Sequence, residues 1–78
     1  MLKISAIIIT YNEEKNISRC IESIREIVDE IIIVDSFSTD KTEEICKMYN
    51  VKFIKREFKG YSDQKNYAMT QAENDLIL

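Results

Sequence analysis

The chain is 78 residues long, 45% hydrophobic and 32% charged with a net charge of −3, which fits one small globular domain with a marginal core and argues against a disordered chain or a general nucleic-acid binder. It has no His and two Cys without CxxC spacing, which excludes a His-based triad or His-ligated zinc site for this segment and gives no sign of a redox pair. No apolar run approaches the roughly 18 residues of a membrane span, and the N-terminus lacks a signal-peptide pattern, so a cytoplasmic location is expected.

Residues 3–10 read as a first strand, too apolar at Ile7-Ile8-Ile9 to face water on either side. Asn12 is expected to cap the following helix, with Glu13 and Glu14 in its first turn where the helix dipole favours acids. Ile17, Ile21, Ile24 and Val28 recur at helical spacing and predict one buried stripe through about residue 28. Residues 30–35 form the second strand, another β-branched run ending in Asp35. Asp40 and Glu43 have the spacing of a capping box, and Ile45, Met48 and Tyr49 supply the apolar side of a second helix. Asn50 suits its end.

Residues 51–56 alternate like an edge strand, with Lys52, Lys55 and Arg56 blunting the edge. Residues 57–61 make a loop with the only Gly, Gly60, and Ser62 is expected to cap a third helix reaching about Ala72. Leu76-Ile77-Leu78 opens a fourth strand. Cys20 and Cys46 are expected as free thiols buried on helices. The pattern predicts an α/β fold, a Rossmann-like three-layer sandwich with a parallel sheet of order 3-2-1-4. The fourth strand is nearly absent, so apolar surface or sheet edge should be exposed beside strand one.

Such a sheet puts Thr10, Tyr11 and Asp35 at its carboxyl edge, where open α/β folds bind ligands. Asp35 can accept hydrogen bonds from a ribose or base, or it can hold the turn that follows it. Tyr11 offers a flat face for a nucleobase beside the Thr10 hydroxyl, or it is a packing residue. The first turn has no glycine, and Glu13 and Glu14 would repel a pyrophosphate there, which argues against a dinucleotide. A receiver-type domain is disfavoured because strand three ends in Lys55 and Arg56. In the segment 59–66, Lys65 is a candidate cation for a phosphate, or part of a solvated helix face.

Three segments carry a family resemblance: Ser5-Ala6-Ile7-Ile8-Ile9-Thr10-Tyr11-Asn12-Glu13-Glu14, Ile33-Val34-Asp35-Ser36-Phe37-Ser38-Thr39-Asp40-Lys41-Thr42, and Gly60-Tyr61 through Gln64-Lys65-Asn66-Tyr67-Ala68. Together they resemble the N-terminal half of a GT-A-fold, family-2 glycosyltransferase, of the lipopolysaccharide-core glucosyltransferase-like branch. The resemblance implies that Thr10, Tyr11 and Glu13 surround the base and ribose of a nucleotide sugar and that Asp35 hydrogen-bonds the nucleoside; Lys65, read above as a candidate cation, completes the expected nucleotide-binding set. Many members follow the first Asp with a second that reads uracil. Ser36 stands there in this chain, so the resemblance does not carry UDP specificity.

The resemblance further implies that residues 1–78 are the nucleotide-binding part of a longer domain, incomplete at the C-terminus. The Asp-x-Asp motif for Mg²⁺ or Mn²⁺ and the catalytic base would lie beyond Leu78. No catalytic residue and no metal ligand is therefore assigned here, and the chain alone should be inert. The expected activity is inverting transfer from a nucleotide sugar to a glycan or lipid-linked acceptor in cell-envelope polysaccharide synthesis, with no nucleic-acid partner. Membrane-surface association of the full protein and homo-oligomerisation of the 78-residue chain complete the expectation. The alternative is a non-catalytic Rossmann-like nucleotide-binding or self-associating module.

Overall fold

Four parallel strands and three helices alternate along the chain in a computed structural model that describes residues 3–74, with the backbone alone at 76–77. They are β1 (Ile4–Thr10), α1 (Ile17–Ile24), β2 (Glu30–Asp35), α2 (Thr42–Cys46), β3 (Lys52–Lys55), α3 (Tyr61–Thr70) and β4 (Leu76–Ile77). The sheet runs β3-β2-β1-β4 with every pairing parallel. In central β2 the last five of its six residues, Ile31, Ile32, Ile33, Val34 and Asp35, are all buried, the β-branched run being covered on both faces.

The period-two alternation of β2 divides the interior. Ile31 and Ile33 face α1 and α2, packing with Ala6, Ile17, Ile21 and Cys46, while Ile32 and Val34 face α3 and Ala68. The result is three layers, two helices on one face of the sheet and one on the other. Ile24 and Val28 extend the stripe begun by Ile17 and Ile21, but α1 itself stops at Ile24 and Val28 follows in a turn. Among the described residues β4 pairs with β1 at Ile4 and Ser5, and Ile7, Ile8 and Ile9 are half-buried.

The helix starts differ from the local capping patterns. Asn12 does not cap α1; it sits at φ 51°, and the helix begins at Ile17 after a turn in which Glu13 O accepts from the amides of Asn16 and Ile17. Glu13 and Glu14 therefore lie before the helix, not in its first turn. No reciprocal capping box forms at α2. Asp40 Oδ1 instead accepts from both the amide (2.9 Å) and the hydroxyl (2.6 Å) of Thr42, and Glu43 pairs with Lys47 and Lys55. After Cys46 the chain tightens through bonds from Met48 N to Ile45 O and from Tyr49 N to Cys46 O, which ends the helix early and leaves Met48 exposed.

Ser62 is inside α3, not before it, because Gly60 takes the N-cap position with φ 113° and ψ 155°, a region that essentially only glycine occupies. Lys55 and Arg56 are tied inward to Glu43 and Asp63 instead of standing free along the edge. Both thiols are free, Cys46 buried in α2 and Cys20 half-buried in α1. Burial first, then the nearby acids Asp35 and Glu43, push the Cys46 thiol up to about 11.

Candidate functional site

At the carboxyl edge of the sheet Thr10 and Asp35 are register partners. Thr10 Oγ1 donates to Asp35 Oδ1 at 2.6 Å, and Ser38 donates to the same carboxyl group twice, from its amide at 2.7 Å and its hydroxyl at 2.5 Å. Asp35 is 1% exposed, so these partners offset the cost of taking the group out of water. The contacts that Asp35 makes are those of a turn-holding acid.

The two loops that follow β1 and β2 are laced together by their side chains. Asn12 N donates to Ser38 Oγ at 2.8 Å, Asn12 Oδ1 accepts from Thr39 N at 2.8 Å, Glu13 N donates to Thr42 Oγ1 at 2.8 Å, and Glu14 N donates to Asp40 Oδ2 at 3.1 Å. Burial opposes ionisation of Asp40, but the bonds from Thr42 and Glu14 outweigh it and hold its carboxyl below the usual 3.8. Each loop also holds one non-glycine residue in the left-handed region, Asn12 at φ 51° and Phe37 at φ 56°. Asn tolerates that region; Phe at such a position is strained by about 1–2 kcal/mol.

Above this base opens a cleft of about 360 Å³ lined by Ile9, Thr10, Tyr11, Glu13, Ser36, Phe58 and Tyr61. Three of these are aromatic, one is acidic and none is a cation. Phe58 and Tyr61 meet edge to face, with ring centroids 5.2 Å apart and planes at 79°. Ser36 is positioned by buried Gln64, whose Nε2 donates to Ser36 Oγ at 3.3 Å and to Arg56 O at 3.2 Å. Arg56 completes the brace: its guanidinium bonds Asp63 (2.6 Å) and Gln64 Oε1 (2.9 Å) and lies 4.4 Å from the centre of the Tyr67 ring.

Thr10, Tyr11 and Glu13 thus come together on one cleft, with Tyr11 57% exposed and Thr10 buried to 2%. Asp35 lies behind Thr10 and does not line it. Lys65 is exposed on α3, outside the lining. Phe58, Tyr61 and Ser36 are cleft residues that reading along the sequence did not single out as such. The available signal was two aromatics flanking the only glycine, after a strand whose end faces the same edge. Among the described residues no three His, Cys, Asp or Glu side chains gather where they could hold a metal ion.

The family model described as Glycosyl transferase family 2 matches residues 5–78. An uncharacterized glycosyltransferase of Rickettsia typhi is 46% identical over 78 residues, which is 100% of this chain and 27% of that protein. The lipopolysaccharide core biosynthesis glycosyltransferase LpsC of Rhizobium meliloti is 40% identical over 75 residues, 90% of this chain and 27% of its own length. Among solved structures, glucosyl-3-phosphoglycerate synthase from Mycobacterium tuberculosis in complex with Mn²⁺, UDP and glucosyl-3-phosphoglycerate superposes with a TM-score of 0.85 at 27% identity, covering 97% of this chain and 32% of that one. The same synthase with Mn²⁺, UDP-glucose and glycerol 3-phosphate gives 0.84 at 27% identity, with coverage of 97% and 32%. The chain therefore spans little more than a quarter of the curated relatives named here.

Proposed function

The chain belongs to glycosyl transferase family 2, and from that premise we propose that residues 1–78 are the N-terminal nucleotide-sugar-binding part of a longer inverting glycosyltransferase. That protein passes a sugar from a nucleotide donor to a glycan or lipid-linked acceptor of the cell envelope, in keeping with its likeness to LpsC. One observation carries the reading: a cleft at the carboxyl ends of parallel strands that offers an aromatic face, hydroxyls and one carboxylate, and no cation. Such a surface suits a nucleoside, whose ring stacks and whose N–H and O–H groups donate.

In this reading Tyr11 stacks on the base, and Glu13, whose carboxylate has no protein hydrogen-bond donor among the described residues, accepts from base or ribose. Asp35 serves the nucleoside by fixing Thr10 and the turn at Ser38, because the hydrogen bonds of its carboxylate go to those two. Lys65 lies one helical turn beyond Tyr61 on α3, a spacing that shares a face, and is assigned to the phosphate end of the donor. A divalent cation, Mg²⁺ or Mn²⁺, is proposed for the longer protein, since the mycobacterial synthase holds Mn²⁺ with UDP. No described helix is long and apolar enough to cross a membrane; association of the longer protein with a membrane surface, where a lipid-linked acceptor would be met, is part of the proposal. The uncovered edge of β1 is the surface proposed for self-association of this chain.

Calorimetry of the 78-residue chain with UDP, GDP and ADP tests the proposal. The expected result is nucleotide-dependent heat that Tyr11→Ala weakens, without sugar transfer by the chain alone. Silence with all three would favour a non-catalytic, self-associating module.

A further inference from the structure

Large apolar side chains exposed among the described residues are Tyr11, Ile27, Phe37, Met48, Phe58, Tyr61 and Met69. Three of them, Tyr11, Phe58 and Tyr61, line the one cleft at the strand ends, a concentration that scattered surface residues would not give. Tyr11 comes from the end of β1, whereas Phe58 and Tyr61 come from the connection between β3 and α3. The backbone fixes that connection deliberately. Gly60 adopts a φ of 113°, yet a Cβ built on it would meet nothing within 4 Å, so the glycine answers to conformation and not to crowding. Its effect is to start α3 at Tyr61 and bring that ring against Phe58 at the cleft.

We propose that Phe58 and Tyr61 form a second aromatic wall facing Tyr11, and that the base of a nucleoside diphosphate is gripped between the two. The inference rests on the nucleoside-binding reading above and adds residues outside the strand-end motifs. The cleft volume of about 360 Å³ is near the lower end of ligand pockets, roughly 300–1,000 Å³, and so holds one end of a nucleotide sugar and not the whole donor. With no cation in the lining, that end is the base. The edge-to-face contact holds the two rings in place before the ligand arrives, which limits the ordering cost of binding. Because stacking on an aromatic face is tolerant of base identity, the wall contributes affinity for any nucleoside, and selection among bases falls to Glu13 and Ser36.

The test measures UDP and GDP affinity by calorimetry for the wild-type chain and for Phe58→Ala, Tyr61→Ala and Tyr61→Phe, with far-UV circular dichroism to confirm the fold of each. Both rings are substantially exposed, at 45% and 77%, so neither alanine variant opens a core cavity. The expected result is a loss of roughly 5- to 100-fold for each alanine variant, similar for UDP and GDP, with Tyr61→Phe near wild type. Wild-type binding that both alanine variants retain in full would overturn the second wall alone and leave the nucleoside site standing. A Tyr61→Phe loss as large as that of Tyr61→Ala would also overturn it, since the hydroxyl and not the ring face would then be the contact. Absence of binding by the wild-type chain would overturn the wall together with the reading it rests on.

Discussion

Thr10 and Asp35 are paired twice, as register partners across β1 and β2 and through a 2.6 Å hydrogen bond from Thr10 Oγ1 to Asp35 Oδ1. The strand-end acid is therefore part of the framework that sets the cleft floor. Thr10→Val keeps the shape of the side chain and removes the donor. Leaving a buried acceptor short of a partner costs about 1–3 kcal/mol, so the urea midpoint of Thr10→Val should fall accordingly while Thr10→Ser stays closer to wild type. Equal midpoints for Thr10→Val and wild type would mean that Ser38 alone satisfies Asp35.

Phe37 is 56% exposed and sits at φ 56°, so it bears left-handed strain without the compensation of deep burial. Phe37→Gly should raise stability by about 1 kcal/mol, the left-handed cost of about 1–2 kcal/mol less part of the entropy that glycine loses on folding. A shift in denaturant midpoint with unchanged slope would show it. A destabilised Phe37→Gly chain would show instead that the exposed ring packs usefully.

Strand β2 was legible in full, bounds included, because a β-branched run buried on both faces has one reading at that length. The carboxyl-edge position of Thr10 and Tyr11 followed from it. The helix starts were not legible, because the side chains concerned bond across space and not within their own turn: Asn12 is bound to Ser38 and Thr39, 26 and 27 positions away, and Thr42 to Glu13, 29 positions away. A capping template reads three or four neighbouring residues and misses such partners. Gln64, a polar residue near the start of α3, is buried because Arg56 and Ser36 meet its amide, partners that lie too far along the chain for local reading to find. Phe58 and Tyr61 gained meaning only when the sheet brought their loop beside Tyr11.

Acid should loosen the loops at the cleft floor. Asp40 is held below its usual 3.8, with bonds from Thr42 and Glu14 outweighing desolvation, and Glu43 is held below its usual 4.5, by hydrogen bonds from Lys47 first and then Lys55. A carboxyl whose folded pKa is depressed binds more protons unfolded, so stability rises with pH through the interval between the two values. Its contribution is complete above about pH 4.5 and is lost as pH falls through the folded values. Melting temperature measured from pH 6 to pH 2.5 should therefore decline most steeply at the acid end, and Asp40→Asn should flatten the decline. A slope identical in Asp40→Asn and wild type would remove Asp40 from that account.

Lys65 and Tyr61 are separated by four positions on α3, which aligns them on one face about a turn apart. A base held at Tyr61 would direct its phosphates along that face, where Lys65 is exposed and Tyr61 is already in the cleft lining. The two ends of the ligand can be separated by comparing UDP with uridine. Exposed charge pairs contribute roughly 0.2–1 kcal/mol, so Lys65→Ala should weaken UDP by up to roughly 5-fold and leave uridine unchanged, with the UDP effect shrinking as salt is raised. Tyr11→Ala should weaken both ligands alike, because both present the same base. Equal weakening of UDP and uridine by Lys65→Ala would place the lysine at the nucleoside end, and no weakening of either would leave it a solvated residue of the helix.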